Sequence, residues 1–200
     1  MNTQGYLKGT VEGYLKGLSE RSIVPGGGSA SALAAALGAG LNLMVMNYSI
    51  EPGGSGCAPQ GFSPARERQQ ESLERLSMLV DEDCGVFQKL MEALSAKRDA
   101  QKEYIAAAEV PMEICRECAV SIKISVHLLE GANRKLITDV GCAAHVLKAA
   151  FSSARLNVEV NLKCIEDRSF VENTGKELET IKKEIDSASG KIEDGLGKRE

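Results

Sequence analysis

Tryptophan is absent from this 200-residue chain, and aromatic residues make up only 4 % of it. Any core must therefore be built from Leu, Ile, Val, Ala and Met. Proline is scarce at 5 residues, and the alternating β-branched and aromatic runs that mark strands are nearly missing. Ala, Leu, Glu and Lys dominate instead, which predicts an all-α fold. There is no surplus of positive charge: 24 Lys and Arg stand against 28 Asp and Glu, a net charge of −4 that argues against a nucleic-acid-binding surface. No basic stretch followed by an apolar run opens the sequence, so no signal peptide is expected. The 6 cysteines are then expected to be mostly free thiols in a reducing cytoplasm. The length suits one domain, 1–200, with a helical core over about residues 10–170 and an amphipathic helix with a frayed tail over 171–200.

Charge itself is missing from one stretch. No charged residue occurs between Arg21 and Glu51, in a chain that is 26 % charged. Inside it, Gly26, Gly27 and Gly28 lead into a long Ala- and Leu-rich helix for which Ser29 or Ser31 is a fitting N-cap. Leu33, Leu37, Leu41, Met44 and Tyr48 fall along one face of that helix, and Ala32, Ala36 and Gly40 form a bald stripe where another backbone can approach. A glycine loop opening a helix offers outward N–H groups to an anion or a carbonyl oxygen. The same pattern equally suits a buried helix with a glycine-rich entry and no ligand. No Lys closes the loop as in a Walker motif, and no strand precedes it as in a Rossmann turn. The run is long enough to cross a bilayer, but Asn42, Asn47, the glycines and the Ala content argue against a membrane span.

Around this stretch the periodicity predicts further helices. The repeat GYLKG at 5–9 and 13–17 gives a frayed lead-in and a short amphipathic helix over Val11 to Leu18. Residues 50–64 read as a long Gly-, Pro- and Ser-rich loop carrying Cys57. A helix over Ala65 to about Ala96 has Leu73, Leu76, Val80, Phe87, Leu90 and Leu94 on its buried stripe. Asp83 fills the gap in that stripe, while Asp81 and Glu82 point to solvent. A carboxylate among apolar neighbours is either a salt bridge or cap, or an acid or base with a shifted pKa. From about Lys102 to Glu130 a helical region contains Pro111, which kinks the helix or opens its second part. Cys115 and Cys118 form a lone C-x-x-C without the second pair that a zinc site needs, so they read as core residues and no metal is expected. His127 reads as structural. Arg134 and Lys135 sit in a turn, and Thr138 or Asp139 caps a fourth helix with Val140, Ala144, Leu147, Phe151, Ala154, Val158 and Ile165 inside. Asn157 and Asn161 lie on or next to that stripe, where amides either set register or bond a polar heterocycle.

PGGGSASALAAALGAGLNLMV, DEDCGVF, ITDVGCAAHVLKAAF and LNVEVNL, in that order, resemble the cyclodeaminase/cyclohydrolase family of tetrahydrofolate enzymes over roughly residues 10–170. The resemblance implies a single-domain, antiparallel multi-helix bundle that forms a homodimer through its helices, with a folate site near the subunit interface. It assigns Gly26, Gly27, Gly28 and Ser29 to a signature loop, and Asp83, Asp139, Asn157 and Asn161 to family positions. The implied reaction is hydrolysis of 5,10-methenyltetrahydrofolate to 10-formyltetrahydrofolate, favoured because the sequence carries no transferase half. The enzyme alternative is formation of methenyltetrahydrofolate and ammonia from 5-formiminotetrahydrofolate. A non-catalytic folate-binding or assembly subunit is the alternative of another class. No cofactor beyond the folate substrate is expected, and no nucleic acid or membrane. The methenyl bridge is a cationic, electrophilic carbon, so Asp83 or Asp139 serves as base or counter-ion. The glycine-loop N–H groups and the two asparagines hold the pterin and formyl oxygen, and Arg134 and Lys135, unless merely solvated, meet the glutamate carboxylates.

Overall fold

The computed structural model describes residues 5–50 and 62–197. Six helices make up the described chain: α1 (Val11–Ser19), α2 (Gly27–Ile50), α3 (Phe62–Ser95), α4 (Gln101–Gly131), α5 (Ile137–Leu162) and α6 (Arg168–Gly197). A single 3-10 turn, Arg134–Leu136, precedes α5. No strand occurs among the described residues. Most of the loop expected at 50–64, Cys57 included, lies outside the described residues, and α3 begins at Phe62, within that expected loop.

Helix α2 is the hub, packing against α3, α4 and α5. Its small residues face inward: Ala32, Ala35, Ala36 and Ala39 are buried in the main core. The close approach falls at Gly38, where a Cβ would lie 2.6 Å from Leu147 and 3.2 Å from the Ala143 carbonyl; at Gly40 it would meet nothing within 4 Å. The bald stripe of the sequence is therefore real at Ala32 and Ala36, with its closest approach at Gly38 instead of Gly40. By length and hydropathy Gly27–Ser49 suffices to cross a membrane, yet 61 % of its most apolar stretch is buried inside the bundle. Asn42, fully buried, donates to the Ser121 carbonyl at 2.9 Å and to Gln69 Oε1 at 3.3 Å, and accepts from Ser125 Oγ at 3.0 Å. Such a satisfied network fixes how α2, α3 and α4 register.

On α5 the expected inward residues Val140, Ala144, Leu147, Phe151, Ala154 and Val158 are all buried. Helix α6 belongs to the bundle, with Leu178, Ile181, Ile185 and Ile192 in the same core, and it is helical to Gly197; the last residues, 198–200, for which a frayed tail is expected, lie outside the described residues. Arg116 and Glu177 at 2.6 Å, and Arg155 and Glu179 at 2.9 Å, tie it to α4 and α5. Cys115 and Cys118 are buried free thiols, and burial pushes Cys115 up to about 12. Both are protonated packing groups at neutral pH.

Several expectations need correction. Thr138 and Asp139 lie inside the first turn of α5, because the 3-10 turn, capped by Asn133 Oδ1 on the Lys135 N–H at 3.0 Å, starts the helix earlier. Pro111 does not open a second helix but sits within α4, the other of its two expected places. Phe87 and Leu94 are exposed, although Leu90 and Ala93 between them are buried against α4. Residues 5–9 are not a frayed lead-in: Asp81 Oδ1 accepts the Tyr6 N–H at 2.6 Å, and the Tyr6 hydroxyl donates to the Val24 carbonyl at 3.1 Å. The two tyrosines of the GYLKG repeat, Tyr6 and Tyr14, stack edge to face with centroids 5.8 Å apart. Asp81 is thus an anchor rather than a solvated acid, and Glu82 is paired with Arg75.

Candidate functional site

The start of α2 meets α3 and the end of α5 in one place. The Gly26 carbonyl accepts the first helical bond, from Ala30 N–H at 3.0 Å, so Gly27 and Gly28 occupy the first turn, where N–H groups have no intrahelical acceptor. Asp83 reaches in from α3, its Oδ2 accepting the Ser29 N–H at 2.8 Å. This carboxylate from another helix takes the capping role expected of Ser29 or Ser31. Ser29 Oγ instead lies 3.1 Å from the Tyr14 hydroxyl, and Ser31 Oγ donates back to the Gly27 carbonyl at 2.7 Å. Gly28 makes the approach possible, because a Cβ there would sit 2.5 Å from the Asp83 carboxyl carbon. Burial raises the Asp83 pKa above the usual carboxylate range, and the Ser29 N–H pulls partly against that.

From α5, Asn157 and Asn161 complete the arrangement. Asn157 Nδ2 donates to the Ser153 carbonyl at 2.9 Å. Asn161 Nδ2 donates to the carbonyls of Ala107 at 2.8 Å and Asn157 at 2.9 Å. The Asn161 NH₂ group is thus spent on two carbonyls and its amide oxygen remains as an acceptor, while Asn157 keeps one N–H as well as its oxygen.

These residues line a cleft of about 110 Å³ bounded by Gly26, Gly27, Gly28, Asp83, Asn157 and Asn161, with Ile23, Val24, Val86, Phe87, Ala107 and Val160 as its apolar walls. Six of the ten site residues expected from sequence thus converge, and Ser29 lies directly behind them. Asp139, Arg134 and Lys135 do not. Asp139 precedes Asn157 by 18 residues on α5, about 27 Å along a helix. Arg134 and Lys135 adjoin Asn133, whose N–H binds Ser49 Oγ near the far end of α2 at 3.1 Å. The apolar walls and Tyr14 were missed. For Val160 the signal was available as a large apolar residue off the buried stripe of α5, whereas Phe87 is expected on the stripe of α3, and nothing in the sequence says which exposed residues meet. Two larger grooves, of about 260 and 340 Å³, lie elsewhere, and their basic groups Arg116, Lys148, Arg155 and Lys182 are already paired with acids. Among the described residues no three His, Cys, Asp or Glu side chains gather as metal ligands.

Residues 10–180 match the family described as formiminotransferase-cyclodeaminase. The chain belongs to that family. Within it, the chain is 30 % identical over 194 residues to a methenyltetrahydrofolate cyclohydrolase of Methylorubrum extorquens, covering 92 % of this chain and 93 % of that protein. It is 28 % identical to the chicken formimidoyltransferase-cyclodeaminase over 98 % of this chain, but it spans only 38 % of that longer protein. The crystal structure of a formiminotetrahydrofolate cyclodeaminase from Thermotoga maritima superposes with a TM-score of 0.85 at 26 % identity, covering 95 % of this chain and 96 % of that one. Family membership and this superposition agree with the all-helical bundle expected from sequence.

Proposed function

We propose that this chain is a folate enzyme of one-carbon metabolism that hydrolyses 5,10-methenyltetrahydrofolate to 10-formyltetrahydrofolate at the Asp83 cleft. The observation that carries the reading is the polar set of that cleft: the Asp83 carboxylate and the side chains of Asn157 and Asn161 converge beside a helix start. The methenyl bridge is an amidinium-like cation, so an electron-rich pocket attracts it before reaction. Asp83 Oδ1 takes the proton of a water as its oxygen bonds to the bridge carbon. The resulting carbinol adduct then breaks its C–N5 bond: the proton held by Asp83 passes to N5, which leaves as the amine, the hydroxyl proton goes to solvent, and the formyl group stays on N10. The free N–H groups of Gly27 and Gly28 are suited to the oxygen on which charge builds in the adduct. The near end-to-end match with the Methylorubrum cyclohydrolase favours hydrolysis, and the Thermotoga structure favours the cyclodeaminase alternative, in which N10 attacks a formimino carbon and ammonia leaves. One assay separates them. Purified protein should accelerate the loss of methenyltetrahydrofolate absorbance over the buffer blank and release no ammonia from 5-formiminotetrahydrofolate. Ammonia release with methenyl build-up would establish the cyclodeaminase instead, and silence in both with folate still bound would leave a binding subunit.

A homodimer is part of the same reading. The outer face of α2 carries Leu37 and Tyr48, 62 % and 58 % exposed, with Leu33, Leu41 and Met44 half-buried along it and Asn47 as its exposed polar residue. An apolar face several turns long suits a second copy of itself. If a twofold axis crosses the middle of α2, the two helices run antiparallel. The end carrying Arg134, Lys135 and Asp139 in one copy then falls beside the Gly27 end of the other, which accounts for their distance from the cleft within one chain. A cleft of about 110 Å³ is also small beside ordinary ligand pockets of roughly 300–1,000 Å³, so a second wall is in keeping with a whole folate. Leu37→Arg should run as a monomer in sedimentation with its helical circular dichroism intact. A wild-type chain that is itself monomeric at micromolar concentration would remove the dimer.

A further inference from the structure

Pro111 lies inside α4, ten residues past its start at Gln101, and is buried. Proline has no N–H, and its ring crowds the carbonyl four residues back, so the Ala107 carbonyl loses its helical donor. A carbonyl at the edge of a packed interior needs another. It finds the Asn161 side chain, whose Nδ2 reaches it at 2.8 Å from α5. The second amide hydrogen of Asn161 goes to the Asn157 carbonyl, one turn back on its own helix, at 2.9 Å. Ala107 and Asn161 both line the cleft. The break in the ladder of α4 and the polar side chain of the site therefore meet at one hydrogen bond.

We propose that Pro111 is a positioning residue for this site: by withholding its N–H from Ala107, it recruits the Asn161 amide and leaves Asn161 Oδ1 presented to the cleft as an acceptor. The inference rests on the reading of the cleft as the substrate site. Any other residue at 111 would bond Ala107 along the helix. Asn161 would then keep only its intrahelical partner, and its amide would turn about χ2, offering N–H and oxygen to the cleft by turns. An N–H aimed at a cationic substrate repels what the oxygen attracts, so the effect should fall on substrate binding more than on the chemical step.

The test is a double-mutant cycle with a second readout that needs no turnover. Pro111→Ala and the bulkier Pro111→Val both restore the N–H, and Val keeps most of the ring's volume should Ala leave a hole in the core. With methenyltetrahydrofolate, each should raise KM severalfold and change kcat less. Asn161→Ala should do at least as much, and Pro111→Ala added to Asn161→Ala should do nothing further. Independent effects that multiply in the double variant would overturn the proposal, as would unchanged KM in both Pro111 variants. In ¹⁵N spectra, the side-chain NH₂ pair that vanishes in Asn161→Ala should exchange slowly in the wild type and quickly once Pro111 is replaced. An unchanged pair sinks the proposal whatever the protein catalyses. A changed pair in a protein that turns over no folate would leave the geometry standing and remove the assigned reaction.

Discussion

Asp83→Asn should lower kcat/KM for methenyltetrahydrofolate by roughly 10²–10⁴-fold, the usual worth of a positioned general base, while the protein becomes no less stable at neutral pH. The second half of this expectation follows from the sign of the pKa shift. Burial raises the native pKa of Asp83 above its ordinary value, so the folded state holds the proton more tightly than the unfolded one. The contribution of this group to stability is therefore complete below the ordinary carboxylate pKa and is lost as the pH climbs through the raised native one. At neutral pH the ionised carboxylate is a net cost to the fold. Asparagine keeps an oxygen for the Ser29 N–H and carries no charge to desolvate, so Asp83→Asn should match or exceed the wild-type Tm at pH 7 and lose that advantage at pH 4. The rate of the wild type should fall on acidification as Asp83 takes up its proton. Turnover that survives the substitution would remove Asp83 from the mechanism. A variant that melts lower at pH 7 would mean that the charge on the start of α2 is worth more than its burial costs.

Gly28→Ala should be nearly as damaging, and by a different route. The new Cβ would overlap the Asp83 carboxyl group, which must swing out or push the first turn of α2 away. Overpacking of this kind costs about 1–3 kcal/mol, or a Tm lower by roughly 2–12 °C for a chain of this size, and it displaces the proposed base, so activity should fall with stability. The neighbouring glycines provide the control. A Cβ at Gly27 would make ordinary contact with Asn157 at 3.5 Å, and one at Gly26 would meet nothing within 4 Å. Thermal melts of the three alanine variants should therefore single out Gly28. Equal losses at all three would mean that the backbone freedom of the whole run matters rather than one close approach.

The two asparagines and Asp83 were legible in the sequence for one reason. Each interrupts or borders an apolar stripe on a helix whose period is unambiguous, and a polar group there must be satisfied by something. Asp139, Arg134 and Lys135 show the limit of that logic. Order along the chain carries no distance, and a helix as straight as α5 turns 18 residues into a separation of some 27 Å. On α2, periodicity finds two stripes but not which one turns inward, and here Ala32, Ala35, Ala36 and Ala39 are buried in the core while Leu37 and Tyr48 are exposed. Phe87 was placed inside because its spacing fits the core stripe, yet α3 passes the mouth of the cleft at that point and leaves the ring half in solvent. The anchoring of Tyr6 by Asp81, 75 residues away, had no local signal.

The place of α2 in the chain has a consequence during synthesis. Its inward face is closed by α3, then α4, and last by α5, whose Ile137 comes 87 residues after Ile50. At typical translation rates of about 5–20 residues per second, the ribosome needs roughly 6–22 s to go from the end of α2 to the end of α5. Once clear of the ribosome, and until α5 follows, the most apolar helix of the protein is only partly covered, in a form that a signal-recognising factor could take for a membrane anchor. The fully buried Asn42 and the exposed Asn47 lower the hydropathy of the nascent segment at the positions where one can later be bonded in the core and the other can stay in water.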